Sequence, residues 1–436
     1  MMSEWHEVSL GSLTEWTSGG TPRKNEPNYW DGVIPWISAN SMKKSRLEDS
    51  ELKITPLGLE NGSRLAGKGS ILLLVRGSEL HNRIPIGIAM KPLAFNQDVK
   101  ALKAHDVLLP EYLLYWLLGN EKLILTKVEH TGIGAGKLDT NVMKNLRIHL
   151  PPLPDQHKIV GILSKLDDKI ELNRQMNKTL EAIARAIFKS WFVDFDPVHA
   201  KAEGRDTGLP KESADLFPDS FEETELGEVP KGWKVWRAGD VGDIICGKTP
   251  STKIVEYYGD DVPFITIPDM HGNVFSVNVQ KKLSYAGAKS QLKKMLPSGT
   301  ICVSCIATPG LVVITTEESQ TNQQINSVVP HESDQTYYWF WVFRDLGDEI
   351  KASGSGGSVL TNLSTGRFSE LRVQSSTAEL RSAYHLYVGP IFKKILSNIK
   401  EMNTLAELRD TLLPKLISGH LQIKDAEQII RNIPNE

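Results

Sequence analysis

Long apolar runs are missing from this chain. The uncharged stretch Ile71–Val75 is strand-sized and stops at Arg76, so no membrane-crossing helix is expected. The opening MMSEWHEVSL has no basic region followed by an apolar one, which argues against a secretory leader and for a cytoplasmic protein. Cysteine is scarce, with three residues in 436, and that excludes a disulfide-built fold. Cys302 and Cys305 form a C-x-x-C that could be redox-active or half of a zinc site. No second Cys/His pair follows at finger spacing, and the surrounding TICVSCIAT reads as a buried strand. His81, His105 and His130 are scattered without ligand spacing, so no metal site is expected. A dominant charge is absent too. The net charge of −3 does not by itself call for nucleic acid, but phosphate binding depends on local potential, and the charge is unevenly spread. Seven acidic residues crowd the stretch from Glu212 to Glu228, while basic groups such as Arg23-Lys24 and Lys43-Lys44 lie elsewhere.

What the chain does have is a second copy of itself. GGTPRKNEPNYWDGVIPWI, Gly19 to Ile37, is echoed by GKTPSTKIVEYYGDDVPFI, Gly247 to Ile265. Thr21 and Thr249 differ by 228 positions, as do Pro35 and Pro263. Thr-Pro, Tyr-aromatic and Pro-aromatic-Ile recur in register. Gly69-Ser70-Ile71-Leu72 parallels Gly299-Thr300-Ile301-Cys302, Asn96-Gln97 parallels Asn322-Gln323, and the glycine-rich Gly132–Leu138 parallels Gly354–Leu360. The order is kept while the offset drifts, as expected when a framework is shared and loops differ. Short β-like runs punctuated by Gly, Pro and Asn, with a helix at 110–125, make each copy a mixed unit.

Each copy ends in a long helix. Ile159, Leu163, Leu166, Ile170, Asn173, Asn177, Leu180, Ala184, Ile187 and Trp191 fall at alternating steps of four and three, a heptad-type seam. A shift of 225 gives the second seam, which includes Ile391, Ile395, Asn398, Met402, Leu405 and Leu412. A pseudo-two-fold between the copies would set the helices antiparallel, with Asn173 and Asn398 near each other at mid-seam, where a buried polar pair fixes register. Pro390 should kink the second helix or mark its true start. Between the copies, residues 196–230 are acidic and carry four prolines, the composition of an extended linker.

Three signatures suggest chemistry. Gly242–Thr249 matches the phosphate loop G-x-x-x-x-G-K-[ST] of a nucleotide hydrolase. Ile244 and Ile245 suit a strand better, no amphipathic helix follows, and the first copy puts Thr14 and Gly20 where Gly242 and Lys248 stand. The two copies share only Gly-x-Thr-Pro, the mark of a turn leaving a strand. Pro154-Asp155 with Asp167-x-Lys169 imitates a metal-dependent nuclease, but on a heptad helix the pair reads as a solvated face. Pro151-Pro152 lacks the flanking amide or acid and the aromatic ring of an adenine methyltransferase loop.

The chain resembles the specificity subunit of type I restriction-modification systems. The strings that carry the resemblance are PPLPDQHKIVGILSKLDDKIE, KSWFVDFDPVHAKAEG, LFPDSFEETELGEVPKGWKV and LRDTLLPKLISGHLQI, with the GGTP and GKTP starts. One departure is Val373–Leu380, VQSSTAEL, which lacks the P-P-x-P-x-Q start of the first long helix. The resemblance implies an α+β protein. Two duplicated mixed α/β target recognition domains, 1–150 and 231–375, would be joined by two long antiparallel coiled-coil helices, 151–195 and 376–423, with an acidic linker at 196–230 and a tail at 424–436. It implies sequence-specific recognition of a bipartite, asymmetric site in double-stranded DNA. The helices would set the gap and dock two modification subunits, which the restriction subunits would join. S-adenosylmethionine, ATP and magnesium would act on those partners, leaving this chain without catalysis or cofactor. A free-standing coiled-coil DNA-binding adaptor and a phosphate-loop hydrolase are the alternatives.

Ile159–Trp191 spans ~48 Å at ~1.5 Å per residue. On B-form DNA that is on the order of one to one and a half turns, so inserting four residues near Asn177 should lengthen the unread gap. Base reading needs polar side chains on loops, with Lys and Arg on phosphates. The candidates are Arg23, Lys24, Asn25, Arg76, Arg83 and Lys137 in the first copy, and Lys248, Ser251, Lys253, Lys281 and Lys282 in the second. Asn96-Gln97 and Asn322-Gln323 recur in both copies, and could be framework or readers.

Overall fold

The computed structural model describes residues 5–131, 134–225, 227–306, 308–354 and 363–431. Parts of the repeated glycine-rich segments, Gly132-Ile133 and Ser355–Leu360, lie outside the described residues. The chain divides into two compact units, one of residues 1–170 with 404–436 and one of 171–403. Each holds one copy of the repeat and part of both long helices.

The first copy runs β1 (His6–Ser9), β2 (Thr14–Ser18), β3 (Trp30–Ile37), β4 (Arg46–Leu47), β5 (Lys53–Ile54), α1 (Pro56–Glu60), β6 (Arg64–Ala66), β7 (Ile71–Leu74) and β8 (Arg76–Gly77). It continues through β9 (Ile86–Ala89), β10 (Leu93–Phe95), β11 (Val99–Ala104), α2 (Pro110–Gly119), α3 (Glu121–Leu125), β12 (Val128–Thr131), β13 (Ala135–Leu138), α4 (Thr140–Lys144) and β14 (Arg147–Leu150). The long helix α5 (Leu153–Phe192) follows, then α6 (Asp196–Ala202), α7 (Lys211–Ala214), β15 (Phe221–Thr224) and β16 (Gly227–Pro230). The second copy has β17 (Lys234–Arg237), α8 (Ala238–Val241), β18 (Gly242–Cys246), β19 (Tyr258–Ile265), α9 (Ile267–Met270), β20 (Phe275–Ser276), β21 (Lys282–Leu283), α10 (Tyr285–Lys289), β22 (Ile301–Ser304), β23 (Val312–Thr315), β24 (Gln320–Thr321) and β25 (Ile325–Pro330). It ends with α11 (Thr336–Gly354), α12 (Thr365–Ser369), β26 (Arg372–Ser375), the long helix α13 (Ala378–Ile417) and α14 (Ile423–Arg431).

The duplication holds strand for strand in the main sheet. The main sheet is ordered β2-β11-β7-β9-β4 in one unit and β18-β25-β22-β23-β20 in the other. Its last pair is parallel in both, β4 with β9 and β20 with β23. A second sheet, β5-β3-β10-β6, has its counterpart in β21-β19-β24. Its long strand bulges at the same place: Ile54 faces both Trp30 and Ile34, and Leu283 faces both Tyr258 and Val262. The inner strands β7, β9, β22 and β23 are buried on both faces, which is why their sequences are largely apolar rather than alternating.

The long helices pack antiparallel within each unit. In the first unit, Arg409 of α13 donates to Asp167 of α5 at 2.8 Å. In the second, Asn173 pairs with Glu401, Asn177 with Asn398, and the Tyr384 hydroxyl donates to the Ala184 carbonyl. Ile159, Leu163, Leu166, Ile170, Ile395, Leu405 and Leu412 are buried, while Leu180, Ile187, Ile391 and Met402 are half-buried. Two expectations change here. Asn173 and Asn398 are both buried, but they bond to Glu401 and Asn177 instead of to each other. Pro390 does not start α13, which begins at Ala378.

The stretch 196–230 is folded rather than extended. It forms α6, α7 and the β15–β16 hairpin, and Val198, Phe217 and Val229 sink into the aromatic core of the second unit beside Trp191, Phe192 and Trp233. Its acidic residues are mostly exposed, so composition reported the surface and not the buried anchors.

Candidate nucleic-acid interface

The Gly-x-Thr-Pro segments leave β2 and β18 as loops, and both loops are gripped at the same points. The amide of Gly20 donates to the Phe95 carbonyl at 2.9 Å, and that of Lys248 donates to the Thr321 carbonyl at 2.9 Å. The leading glycine lies flat on the chain that carries Asn-Gln. A methyl group on Gly19 would come within 2.3 Å of the Phe95 and Asn96 carbonyl oxygens, and one on Gly247 within 2.1 Å of the Asn322 oxygen. No side chain fits there, which accounts for glycine at both positions. The threonine hydroxyls donate to glutamine, Thr21 to Gln97 Oε1 at 2.5 Å and Thr249 to Gln323 Oε1 at 2.6 Å. Asn96 and Asn322 turn their side-chain oxygens back onto the amides of Asp98 and Gln324, both at 3.1 Å. The recurring Asn-Gln pairs thus hold the loop in both copies.

The carbonyl of the variable second residue is held from below. Trp36 Nε1 donates to the Gly20 oxygen at 3.0 Å, and Gln291 Nε2 donates to the Lys248 oxygen at 2.7 Å. Farther along, Trp30 Nε1 donates to the Arg23 carbonyl at 3.1 Å, and the Tyr258 hydroxyl donates to the Pro250 carbonyl at 2.9 Å. Beyond these anchors, Arg23, Lys24 and Asn25 are exposed on one loop, and Lys248, Ser251 and Lys253 on the other. Each unit thus offers a rigidly mounted loop with exposed cations and polar side chains, chemistry suited to phosphates and base edges.

The family model for the type I restriction modification DNA specificity domain matches residues 2–182 and 230–375. This chain belongs to the type I restriction-modification specificity family. It is 34% identical over 476 aligned positions to the type I restriction enzyme HindI specificity subunit of Haemophilus influenzae, covering 96% of this chain and 100% of that protein. It is 26% identical to the MjaIX specificity subunit of Methanocaldococcus jannaschii, covering 97% and 94%. The solved S subunit from M. genitalium has the same fold, with a TM-score of 0.55 at 15% identity over 94% of this chain and 96% of that one. This specificity subunit recognises DNA sequence and carries no catalysis of its own.

The other candidates fall in separate places on this specificity subunit. Arg76 on β8 and Lys137 on β13 are cross-strand partners, and Lys137 lies 3.9 Å from Glu129. Arg83 is tied to Glu79 at 2.9 Å. Lys281 and Lys282 are exposed at the start of β21, one strand from β19. From Gly247 the chain passes through a 3-10 turn at Val255–Tyr257 into β19, so no helix N-terminus follows the GKTP segment. Asp167, half of the nuclease-like pattern, accepts from Tyr115 and Arg409, both at 2.8 Å, and serves as a helix-to-domain strut rather than a solvated surface. Among the described residues no cluster of three His, Cys, Asp or Glu could hold a metal, and no helix is long and apolar enough to cross a membrane. Burial pushes the Cys302 thiol up to about 12 and the Cys305 thiol to about 11, which keeps both protonated as core side chains. The loop anchors Trp30, Trp36, Tyr258 and Gln291 escaped the sequence reading as site residues. The repeated Tyr-aromatic and Pro-aromatic-Ile pointed to the first three, and nothing in the repeat pointed to Gln291.

Proposed function

We propose that each copy reads one half of a split, asymmetric DNA sequence through the loop that follows its first main-sheet strand. The observation that carries this reading is the pairing of like with unlike. The two loops are mounted alike, yet where one presents Arg23-Lys24-Asn25 the other presents Ser251-Thr252-Lys253. A shared mount with different side chains is what two different half-sites require. Arg76, Lys137, Lys281 and Lys282 add cations for phosphate contacts. Arg83 contributes less, because Glu79 already neutralises it.

The long helices dock two modification subunits in this reading, and the restriction subunits join that core. Apolar side chains left exposed on them, Leu172 and Ile183 on α5 and Leu386 and Tyr387 on α13, support a docking role. S-adenosylmethionine, ATP and magnesium act on the partners.

The test uses the assembled methyltransferase. Sequencing the modified adenines gives both half-sites and their gap. Binding to that duplex is then followed against salt for Lys24→Ala and Lys248→Ala. Each should weaken binding and reduce the slope of log K against log salt by about one. Unchanged slopes for both would remove the loops from the interface.

A further inference from the structure

We infer that Trp36 and Thr21 in the first copy, and Gln291 and Thr249 in the second, are positioning residues for DNA recognition. They fix the reading loops without touching DNA themselves. The inference rests on the reading that these loops meet DNA.

The two copies reach the same grip by different chemistry. Trp36 follows Pro35 on β3, and its indole N–H holds the Gly20 carbonyl. The equivalent residue after Pro263 is Phe264, which has no N–H to give. There the task passes to Gln291, which lies just beyond α10 and is nearly fully buried. Its amide nitrogen bonds both the Lys248 carbonyl and Gln320 Oε1, each at 2.7 Å. Gln320 in turn donates to the Ala288 carbonyl at 2.9 Å, so the grip is braced by a second buried amide. A generic core position would have no reason to restore that bond from an unrelated place in the chain. The threonine hydroxyl adds a second tie in each copy. Together with the backbone bonds of Gly20 and Lys248 and the close-packed glycine before each, these ties fix the loop from strand end to proline. The exposed residues that follow start from a set position, so less ordering entropy is lost on binding.

This assigns the recurring residues to orientation and the divergent ones to sequence choice. The prediction is specific to one half-site per copy. Trp36→Phe keeps an aromatic ring, though a smaller one, and copies what the second unit already contains, but removes the N–H. Thr249→Val removes the hydroxyl at nearly equal volume, and Thr249→Ser keeps it.

Binding is measured on the assembled methyltransferase with the intact duplex and with duplexes mutated in either half-site. Trp36→Phe and Thr249→Val should each cost roughly three- to tenfold in affinity, the worth of one hydrogen bond. The loss should come as reduced discrimination at one half-site, a different one for each variant, with the salt slope unchanged. Thr249→Ser should restore discrimination. Wild-type discrimination in Trp36→Phe and Thr249→Val overturns the inference. So does a loss shared equally by both half-sites with a lower melting temperature, the sign of general destabilisation. If Lys24→Ala and Lys248→Ala are also silent, it is the loop-to-DNA reading itself that has failed.

Discussion

Residues 156 and 381 stand at the same step of the two long helices, and they solve one problem in two ways. Gln156 is fully buried where α5 leaves its domain. It accepts from the Leu109 amide at 2.9 Å and donates to the carbonyls of Val107 and Pro151 at 3.0 and 2.9 Å. Arg381, also buried, donates to Gln335 Oε1 and Ser375 Oγ at 2.7 Å and to the Ser376 carbonyl, with its guanidinium over the rings of Trp236 and Trp339. Arginine has no acceptor, so it cannot take a backbone N–H as glutamine does. The second copy therefore lacks the P-P-x-P-x-Q start, yet its long helix is still locked to its domain. Burial pulls the Arg381 guanidinium below its ordinary pKa, and the aromatic faces and three acceptors keep it charged. Gln156→Ala would strip three backbone groups of this partner, the buried Pro151 carbonyl among them. It should lower the unfolding free energy by about 3 kcal/mol, read from urea midpoints. Arg381→Lys should not preserve stability, because a point charge can neither span three acceptors nor stack on two indoles. A wild-type midpoint for Gln156→Ala would contradict this account.

At the scale of elements, the seam was legible because a helix buried along one stripe repeats its apolar residues at steps of four and three. Main-sheet strands were legible as aliphatic runs, and the duplication exposed the Gly-x-Thr-Pro loops. Four things were not legible, each for a physical reason. Pro390 did not mark the start of its helix, which begins at Ala378. It is exposed, as is Leu386 four residues before it, and on such a face water can take the bond that proline removes. Segment 196–230 hid its fold because its elements are too short to show a period and its anchors are single residues such as Phe217. Gln291 was invisible because its bond to Lys248 depends on tertiary placement, 43 residues along the chain. The polar seam was seen but its pairing was not, since antiparallel register depends on both helices at once. Asn398 donates to Asn177, while its own oxygen is buried without a partner. Asn398→Leu removes that orphan, and Asn177, half-buried and bonded to the Ile395 carbonyl, can turn to water. The variant should gain about 1 kcal/mol in stability. A loss of more than that in chemical denaturation would mean that the amide pair stabilises the seam instead of only setting its register.

For the whole molecule, the consequential fact is that both long helices are shared between the two units. Residues added to α5 alone would carry one side of the seam off its partners. Asn173 would keep Glu401, while Ala184 would leave Tyr384 by more than a turn. The spacing test therefore needs matched insertions, four residues after Asn177 and four before Asn398, so that the pairs on either side remain opposite each other. Four residues add ~6 Å of helix. On B-form DNA that is roughly two base pairs. In the proposed reading, modified sites recovered by adenine sequencing should keep both half-sites and show a gap longer by about one or two base pairs. The half-sites stay because neither loop, nor any residue that grips it, has been altered. Insertion into α5 alone, after Asn177, should instead lower stability and methylation together, since it breaks the Ala184–Tyr384 contact. An unchanged gap in the matched variant, with methylation intact, would separate spacing from helix length and leave the helices only a docking role.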